Sequence, residues 1–332
     1  MINFGIIGTN WITDSFIQCA QASKRWKLTA VYSRTSEAAK SFADKYSVTN
    51  TYTSIEQLSA DANVQAVYIA SPNSLHYEHA KIVIAAKKHV ILEKPATSTQ
   101  RELDSLFALA KESGVFLIEA YRHVQEANFH VLHSALHEQK RLGTIFGASF
   151  TFAQYSSRYN NVLAGEEPNV FSLKFSGGSL VDLGCYPISF AVALFGAPKS
   201  QTYAPYICPT GADAAGFVTL VYEGFAVQIN QSKCYVSSAP SEVYGEMGTL
   251  TVNGVTDIDT VKFYDRKTKK TEELAGKKEE LNLLEEAVEF ARIIDEGDTK
   301  AAARLEQFSR DILAITEDLR KQCGIVFPAD KS

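Results

Sequence analysis

The amino-acid sequence predicts two domains: an α/β domain built on a doubly wound parallel sheet over residues 1–120, and an α+β domain with a large open, mostly antiparallel sheet over 121–332. Three observations lead to this prediction. The chain of 332 residues is longer than one hydrophobic core usually serves. Short apolar runs alternate with helical patterns in the first 120 residues. After residue 120, runs of alternating polarity dominate.

The first domain follows a repeating strand–helix order. Its apolar runs predict strands at 3–7, 28–32, 66–70, 89–92 and 116–118. The patterns between and after them predict helices at 13–22, 36–45, 54–60, 77–86 and 99–113. Because these strands are apolar along their whole length, they fit a parallel sheet that helices cover on both faces.

The second domain begins with a predicted helix at 129–140 and continues with strands. The strands are predicted at 147–155, 216–222, 226–233, 241–244, 249–252 and 260–264. Their alternating polarity favours antiparallel pairing. A loop-and-helix insert occupies 156–195, and helices at 279–295 and 301–322 end at Gly297 and Gly324.

Composition excludes several classes of protein. The net charge of −5 argues against a nucleic-acid binder, which needs a basic face. We find no uninterrupted apolar stretch of membrane-spanning length, and the chain runs directly into a strand, so we expect neither a membrane anchor nor a signal peptide. The five cysteines are scattered without metal-binding spacing. Reduced thiols in a cytoplasmic protein fit best.

The turn after the first strand has the pattern of a phosphate-binding loop. Gly5-Ile-Ile-Gly8-Thr-Asn10-Trp-Ile-Thr13 joins a strand to a helix, and pyrophosphate binds at such helix N-termini. Asn10 and Thr13 stand where G-x-G-x-x-G has its second and third glycines. Asparagine tolerates left-handed backbone better than other non-glycine residues. We therefore expect a dinucleotide to contact Gly8, Thr9, Asn10, Trp11 and Ile12.

The end of the second strand bears on which dinucleotide binds. NAD-binding folds commonly place an Asp or Glu there for the ribose hydroxyls, whereas this chain has Ser33-Arg34-Thr35. A guanidinium suits a 2′-phosphate, so we expect Ser33 and Arg34 to favour NADP(H), with NAD(H) left open. Stacking of Arg34 on the adenine is an alternative.

Several segments together resemble one family. They are 8–13, Ser33-Arg34, Ala70-Ser71-Pro72-Asn73-Ser-Leu-His76, Glu93-Lys94-Pro95 and Gly177-Gly-Ser-Leu-Val-Asp182-Leu-Gly184-Cys-Tyr186. The chain resembles the Gfo/Idh/MocA family of NAD(P)-dependent oxidoreductases over nearly its whole length. Tyr186, where many members have histidine, resembles the branch with dimeric dihydrodiol dehydrogenase and glucose–fructose oxidoreductase. The resemblance implies a Rossmann domain plus an open sheet whose face forms a homodimer or higher homo-oligomer.

The resemblance also implies a reaction. It is hydride transfer between NAD(P)(H) and a carbinol or carbonyl carbon of a sugar, polyol or cyclic diol. Lys94 and Tyr186 are the candidates for proton transfer and for stabilising charge on the reacting oxygen. We expect a coupled pair in which Tyr186 is the acid/base and Lys94 polarises, and the reverse assignment stays open.

Asp182 completes the candidate catalytic set. Since Pro187 fits only the first turn of a helix, we expect that helix to begin near 184–187, with Asp182 on the lead-in loop. Asp182 then anchors the substrate or positions Lys94. The alternative is a capping residue, a role for which aspartate is favoured.

Further candidates lie near these motifs. We expect cofactor contacts from Ser71, Pro72, Asn73, His76 and Glu93, with His76 equally suited to a hydrogen bond in the core. The substrate candidates are Tyr121, Arg122 and Tyr155. An interdomain salt bridge is the alternative role of Arg122.

Three other hypotheses carry less weight. His130, His133 and His137 lie on one helical face but match no recognised ligand pattern, so we expect a solvated face and no metal site. Cys185 suggests a thiolate nucleophile, although no basic partner is evident in the sequence. A non-catalytic dinucleotide sensor is the alternative function. A sensor of this kind has no need to retain Lys94, Asp182 and Tyr186, so their presence favours an enzyme.

Overall fold

The computed structural model describes residues 1–331 and separates into two compact units. The first unit is Met1–Arg122 with Glu279–Arg310. The second unit is His123–Lys278 with the described residues from Asp311 onward. The segment Glu279–Arg310, which we assigned to the second domain by sequence, thus belongs to the first unit.

The first unit contains a six-stranded parallel sheet of order β3-β2-β1-β4-β5-β6. Its strands are β1 (Ile2–Ile7), β2 (Trp26–Tyr32), β3 (Asn50–Tyr52), β4 (Ala66–Ile69), β5 (His89–Glu93) and β6 (Leu117–Ala120). The predicted doubly wound parallel sheet is confirmed. Strand β3 was not predicted, because it is short, polar and at the sheet edge.

Helices connect these strands, and four of the five begin at polar caps. They are α1 (Trp11–Ala22), α2 (Ser36–Asp44), α3 (Ile55–Ala60), α4 (His76–Ala85) and α5 (Gln100–Ser113). Thr35, Ser54 and Thr99 each accept a hydrogen bond from a backbone N–H of the first turn. Gly114 ends α5 in the left-handed conformation, as the sequence predicts.

The second unit contains an eight-stranded sheet of order β14-β13-β12-β11-β7-β10-β9-β8. Its strands are β7 (Ile145–Ala153), β8 (Ser200–Ile207), β9 (Asp213–Val221), β10 (Ala226–Ser232), β11 (Ser241–Gly245), β12 (Gly248–Val252), β13 (Val261–Asp265) and β14 (Lys270–Glu273). Among the described strands of this eight-stranded sheet, only the β7–β10 pair is parallel, which confirms a mostly antiparallel sheet. Strands β8 and β14 were not predicted. Each forms an edge and buries few side chains.

Three helices of the second unit precede or interrupt its strands: α6 (Ala127–His137), α7 (Ser157–Leu163) and α8 (Cys185–Phe195). A π-helical turn, Leu180–Gly184, runs directly into α8. The prediction that Asp182 lies on a lead-in loop is therefore wrong, since this residue lies inside the π-helical turn. Pro187 nevertheless occupies the first turn of α8, as expected.

One helical segment, Leu173–Phe195, is long and apolar enough to cross a membrane, with a mean hydropathy of 1.5. We did not single it out by sequence, because its apolar residues are interspersed with glycine, serine and aspartate. In the structure, 72% of its apolar window is buried inside the protein. A core helix of a folded protein has the same composition, and most of α8 is buried.

Two helices complete the described chain: α9 (Leu284–Glu296) and α10 (Thr299–Gln322). Helix α9 packs on α1, and the indole Nε1 of Trp26 donates to the carbonyl of Ala287 at 2.7 Å. Phe16 of α1 stacks on Tyr68 of β4 at a centroid distance of 4.0 Å. The packing of α9 on α1 and the Trp26–Ala287 hydrogen bond explain why a segment so distant in sequence belongs to the first unit.

Candidate functional site

The predicted catalytic residues are divided between the two units. Lys94 lies in the first unit, and Asp182 and Tyr186 lie in the second. Within each unit, hydrogen bonds anchor the segments that carry these catalytic candidates. The sequence motifs predicted only some of these hydrogen bonds.

The turn after β1 requires a glycine and uses the asparagine. Gly8 has a φ of +110°, and a Cβ there would lie 2.5 Å from the carbonyl oxygen of Ala70. Asn10 caps α1, accepting from the N–H of Thr13 at 3.2 Å. Its Nδ2 donates to the carbonyl of Ala70 at 2.8 Å. Asn10 therefore links the turn to the end of β4, a role that glycine could not perform.

This turn fits an anionic group of a dinucleotide. The close approach of Gly8 to β4 leaves room only for backbone. The first turn of α1 has backbone N–H groups without partners inside the helix, and the helix dipole favours an anion there. Trp11 at the start of α1 is 75% exposed.

The segment after β2 presents an exposed arginine. The backbone N–H of Ser33 donates to the carbonyl of Tyr52 at 3.1 Å, which fixes the strand end. Thr35 caps α2. The side chain of Arg34 between them is exposed and forms no ion pair with any described residue. Its guanidinium is available for a phosphate.

His76 joins the ends of two neighbouring strands. Its ring is 1% exposed, with Nε2 at 2.7 Å from the carbonyl oxygen of Ser71 and Nδ1 at 2.9 Å from that of Pro95. Burial lowers its pKa to about 4. A neutral ring carries one N–H, so it donates to one of these two carbonyls, and its other nitrogen lies against the second carbonyl without a hydrogen bond. This geometry places His76 as a core hydrogen-bond partner behind the segments that follow β4 and β5.

The side chain of Ser71 is also engaged, since its hydroxyl lies 3.0 Å from Nδ1 of His79. The next residues, Pro72 and Asn73, begin a short helical turn that leads into α4. The segment is thus anchored through Ser71 on both its backbone and its hydroxyl.

Buried carboxyl groups surround the strand end that carries Lys94. Glu93 accepts from the hydroxyl of Tyr68 at 2.6 Å and from the N–H of Lys94 at 3.3 Å. Glu119 of β6 accepts from the N–H of Ala96 at 2.7 Å. Burial raises the pKa of Glu93, and it raises the pKa of Glu119 to about 7. Lys94 itself is half-buried, and the Lys94–Pro95 peptide is cis.

The substrate candidates have different surroundings. Tyr121 is 3% exposed and packs edge-on against Phe308 in the first unit. Arg122 is half-buried. Tyr155 in the second unit is exposed, and its hydroxyl donates to Asn160 at 2.6 Å.

In the second unit, Asp182 forms an ion pair with Lys233, a residue that sequence reasoning missed. The side chain of Lys233 is 3% exposed and that of Asp182 is 31% exposed. The ammonium also lies 4.8 Å from the ring centroid of Phe171. A signal existed in the sequence, since Lys233 ends the predicted strand 226–233, but no motif marks it.

Other side chains of the sheet anchor the π-helical turn from below. The carboxylate of Asp213 accepts from the N–H of Leu180 and from the hydroxyl of Tyr203, both at 2.6 Å. Gln231 hydrogen-bonds the hydroxyls of Ser179 and Tyr203. A Cβ at Gly178, where φ is +145°, would lie 2.2 Å from Oδ1 of Asp213. Close packing thus explains the glycine before the turn.

Tyr186 follows Asp182 by four residues on one continuous helical segment, which places both on a similar face. Its half-buried ring lies 5.1 Å from that of Phe152 and 5.3 Å from that of His123. Ser189 links this region to His123, whose Nε2 lies 2.9 Å from the serine hydroxyl. The tyrosine ring is therefore oriented by aromatic packing.

Cys185 and the histidines of α6 lie apart from this chemistry. The thiol of Cys185 is buried and donates to the carbonyl of Asp182 at 3.4 Å, which suits a small core residue. Nε2 of His137 lies 2.7 Å from the carbonyl oxygen of Leu194. Among the residues described, no group of three His, Cys, Asp or Glu side chains is arranged to bind a metal ion.

Both parts of the chain match models of one family. Residues 2–121 match the oxidoreductase family with an NAD-binding Rossmann fold, and residues 133–251 match the GFO/IDH/MocA C-terminal domain. The chain belongs to the Gfo/Idh/MocA oxidoreductase family. This membership confirms the predicted family and its Rossmann domain. It also confirms an NAD(P)-dependent oxidoreductase.

Members of the Gfo/Idh/MocA family resemble the chain over its full length. The uncharacterized oxidoreductase YgjR of Escherichia coli (strain K12) is 40% identical, over 99% of both chains. The scyllo-inositol 2-dehydrogenase (NADP(+)) IolU of Bacillus subtilis (strain 168) is 38% identical, over 100% of both chains. KijD10, a 3-ketoreductase from Actinomadura kijaniata solved with NADP and TDP-benzene, has a TM-score of 0.85. It is 21% identical, covering 96% of this chain and 97% of its own, and shows a common fold.

Proposed function

We propose that the protein is an NADP(H)-preferring dehydrogenase or reductase that acts on a carbinol or carbonyl carbon of a sugar, polyol or cyclic diol. The observation that carries this proposal is the full-length similarity to a dehydrogenase named for scyllo-inositol and NADP(+), at 38% identity. The chain also retains Lys94, Asp182 and Tyr186. A non-catalytic sensor has no need of these three residues.

The first unit supplies the cofactor site in this proposal. The Gly8 turn and the start of α1 receive the pyrophosphate, and Ser33 and Arg34 receive the 2′-phosphate. The remaining contacts that we propose are Thr9, Asn10, Trp11, Ile12, Ser71, Pro72, Asn73, Glu93 and Lys94, with His76 as their support from behind. Bound NADP(H) supplies or accepts the hydride.

The proton is exchanged by residues of the chain. We propose that the phenolate of Tyr186 takes the proton of the substrate hydroxyl during oxidation and that the Tyr186 hydroxyl returns a proton to the substrate oxygen during reduction, while the ammonium of Lys94 polarises that oxygen. The reverse assignment is the alternative, because the two groups form a coupled pair in this scheme. Asp182 accepts a hydrogen bond from a substrate hydroxyl, and Arg122, Tyr155 and Tyr121 complete the candidate substrate residues.

We also propose a homodimer through the open face of the eight-stranded sheet. Helix α8 covers one face of this sheet, where it packs on β7 and β10. Strand register places Phe217, Tyr244 and Tyr264 together on a single face, and all three are exposed. Exposed apolar side chains of a sheet face favour a second copy as the occupant. Phe217→Glu should convert dimer to monomer in light scattering, and a monomeric wild type would refute this assembly.

A cytoplasmic location agrees with the state of the cysteines. All five, Cys19, Cys185, Cys208, Cys234 and Cys323, are free thiols. Free thiols are typical of reducing compartments.

The test of the proposed function is a parallel fluorescence titration with NADPH and NADH, followed by assays with NADP⁺ and scyllo-inositol, aldoses and cyclic diols. Tight NADPH binding and reduction of NADP⁺ by one of these alcohols are expected. Tight NADPH binding without turnover on any of them would favour the sensor. Binding of neither dinucleotide would refute the cofactor site.

A further inference from the structure

Lys233 is a buried cation with a defined partner. It follows β10, and its backbone N–H donates to the carbonyl of Ala214 at 2.8 Å, so its position is fixed by the sheet. Its side chain is 3% exposed and pairs with the carboxylate of Asp182. Burying an ammonium group is costly unless a carboxylate compensates it, so the Lys233 ammonium depends on Asp182 as its partner.

The second acidic group near Lys233 has other partners. Asp213 is buried, and its Oδ2 accepts from the N–H of Leu180 and from the hydroxyl of Tyr203. Asp213 thus anchors the backbone of the π-helical turn. Asp182 is the carboxylate within ion-pair distance of Lys233 among the described residues.

We propose that Lys233 is a positioning residue of the site, which keeps Asp182 ionised and directed as an acceptor for a substrate hydroxyl. This inference rests on the proposed function, in which Asp182 contacts the substrate. The proposed role requires a buried Lys233 and an Asp182 that a substrate can reach. Lys233 is enclosed, whereas the 31% exposure of Asp182 leaves part of its carboxylate accessible.

The pair has a consequence for substrate choice. An ionised carboxylate accepts hydrogen bonds and cannot donate them. Asp182 therefore favours substrates that carry a second hydroxyl beside the reacting carbon, as sugars, polyols and vicinal diols do. It disfavours isolated ketones and simple secondary alcohols, because they displace water from the accessible side of Asp182 without supplying a hydrogen-bond donor in its place.

The experiment compares Lys233→Met, Lys233→Arg and the control Lys262→Met, which removes an exposed lysine of the same sheet. With a polyol substrate, Lys233→Met should lower kcat/KM by about 10-fold or more, mainly through KM. The acidic limb of its pH profile should move to higher pH, since Asp182 loses the cation that favours its ionised form. Lys233→Arg should restore much of the wild-type KM and of the wild-type pH profile. The control Lys262→Met should match wild type in both.

Unfolding temperatures provide a readout that does not depend on turnover. Asp182→Asn leaves the ammonium buried without a carboxylate and should lower the unfolding temperature by roughly 5–10 °C. Adding Lys233→Met to that variant should recover part of the loss. If the changes in unfolding temperature of the two single variants simply add in the double variant, Lys233 and Asp182 do not interact and the proposal fails.

The two failures are distinguishable. If the wild type is active and Lys233→Met shifts neither KM nor the pH profile, the positioning role of Lys233 is refuted while the proposed function stands. If the wild type turns over none of the hydroxylated substrates, the proposed function fails and this role fails with it.

Discussion

Asn10 and His76 in the first unit and Asp182 in the second are anchored by different kinds of partner. In the first unit, Asn10 and His76 bond to backbone carbonyls at the ends of parallel strands. In the second unit, the segment that carries Asp182 is anchored by the side chains of Asp213, Gln231 and Lys233. Strand ends provide backbone partners for any sequence that forms the sheet, whereas side-chain partners depend on particular residues.

This difference determines how each region responds to substitution. Losing the side chain of Asn10 or His76 in the first unit removes a hydrogen-bond partner of an uncharged backbone carbonyl. Losing Asp213 in the second unit leaves a buried donor without its acceptor, and losing Asp182 leaves a buried charge without its counter-ion. Both losses should lower the free energy of unfolding more than the loss of a partner of a backbone carbonyl does. The second unit is therefore the part of the site whose stability and function are coupled most strongly.

The largest expected effect tests whether both units contribute to one reaction. Lys94→Met in the first unit and Tyr186→Phe in the second should each lower kcat by about 10² to 10⁴, because each removes a group of the proton-transfer pair. NADPH affinity, measured by fluorescence titration, should remain close to wild type in Tyr186→Phe. Near-normal turnover in either variant would remove that unit from the chemistry.

A second expectation concerns pH and the buried carboxyl groups. The pKa of Glu119 is raised to about 7 by burial, so the folded state binds its proton more tightly than the unfolded state does. The free energy of unfolding should consequently fall as pH rises from about 4.5 to about 7, by up to about 3 kcal/mol from this group. Glu119→Gln should remove this part of the slope in urea denaturation.

Asp213 offers the matched test in the second unit. Burial raises its pKa too, so its contribution to stability should also decline as pH rises above the unfolded value. Asp213→Asn should therefore flatten the slope in the same direction as Glu119→Gln does. An unchanged slope in both variants would show that these carboxyl groups titrate normally.

The smallest expected effect concerns cofactor choice in the first unit. Arg34→Ala should weaken NADPH about 10- to 100-fold and leave NADH nearly unchanged, since charge-assisted hydrogen bonds to the 2′-phosphate are lost. Lys40→Ala, on the exposed side of α2, serves as the control. Equal weakening of both dinucleotides would indicate that Arg34 stacks on the adenine.

Much of the fold followed from local pattern. Each predicted strand of the first unit exists, because buried parallel strands are apolar runs that stand out from amphipathic helices. The strands β3, β8 and β14 were missed, because edge strands bury little and lack an apolar row. Gly8 was recognisable, since the turn chemistry lies within a few residues of the motif. The left-handed backbone expected to suit Asn10 was wrong, because this residue is extended at φ −99° and acts through its side chain as the cap of α1.

The candidate site was only partly predictable. Lys94, Asp182 and Tyr186 were selected from motifs, and their roles remain predictions. The position of Asp182 was wrong because a π-helical turn extends α8 towards the N-terminus, and helix propensity does not reveal such a turn. Lys233 was missed because the residue with which it forms an ion pair, Asp182, lies 51 residues away in the sequence.

By itself, the sequence determined the two-domain organisation, the parallel and antiparallel sheets, the glycine turn and the family. These features depend on hydrophobic period and on short motifs, which act between near neighbours in the chain. Only the tertiary structure decided that 279–310 belongs to the first unit, that His76 joins β4 to β5, and that Lys233 pairs with Asp182. The reason is physical. The sequence shows which polar residue needs a hydrogen-bond partner when it is buried, but the tertiary structure decides which residue the fold places beside it as that partner.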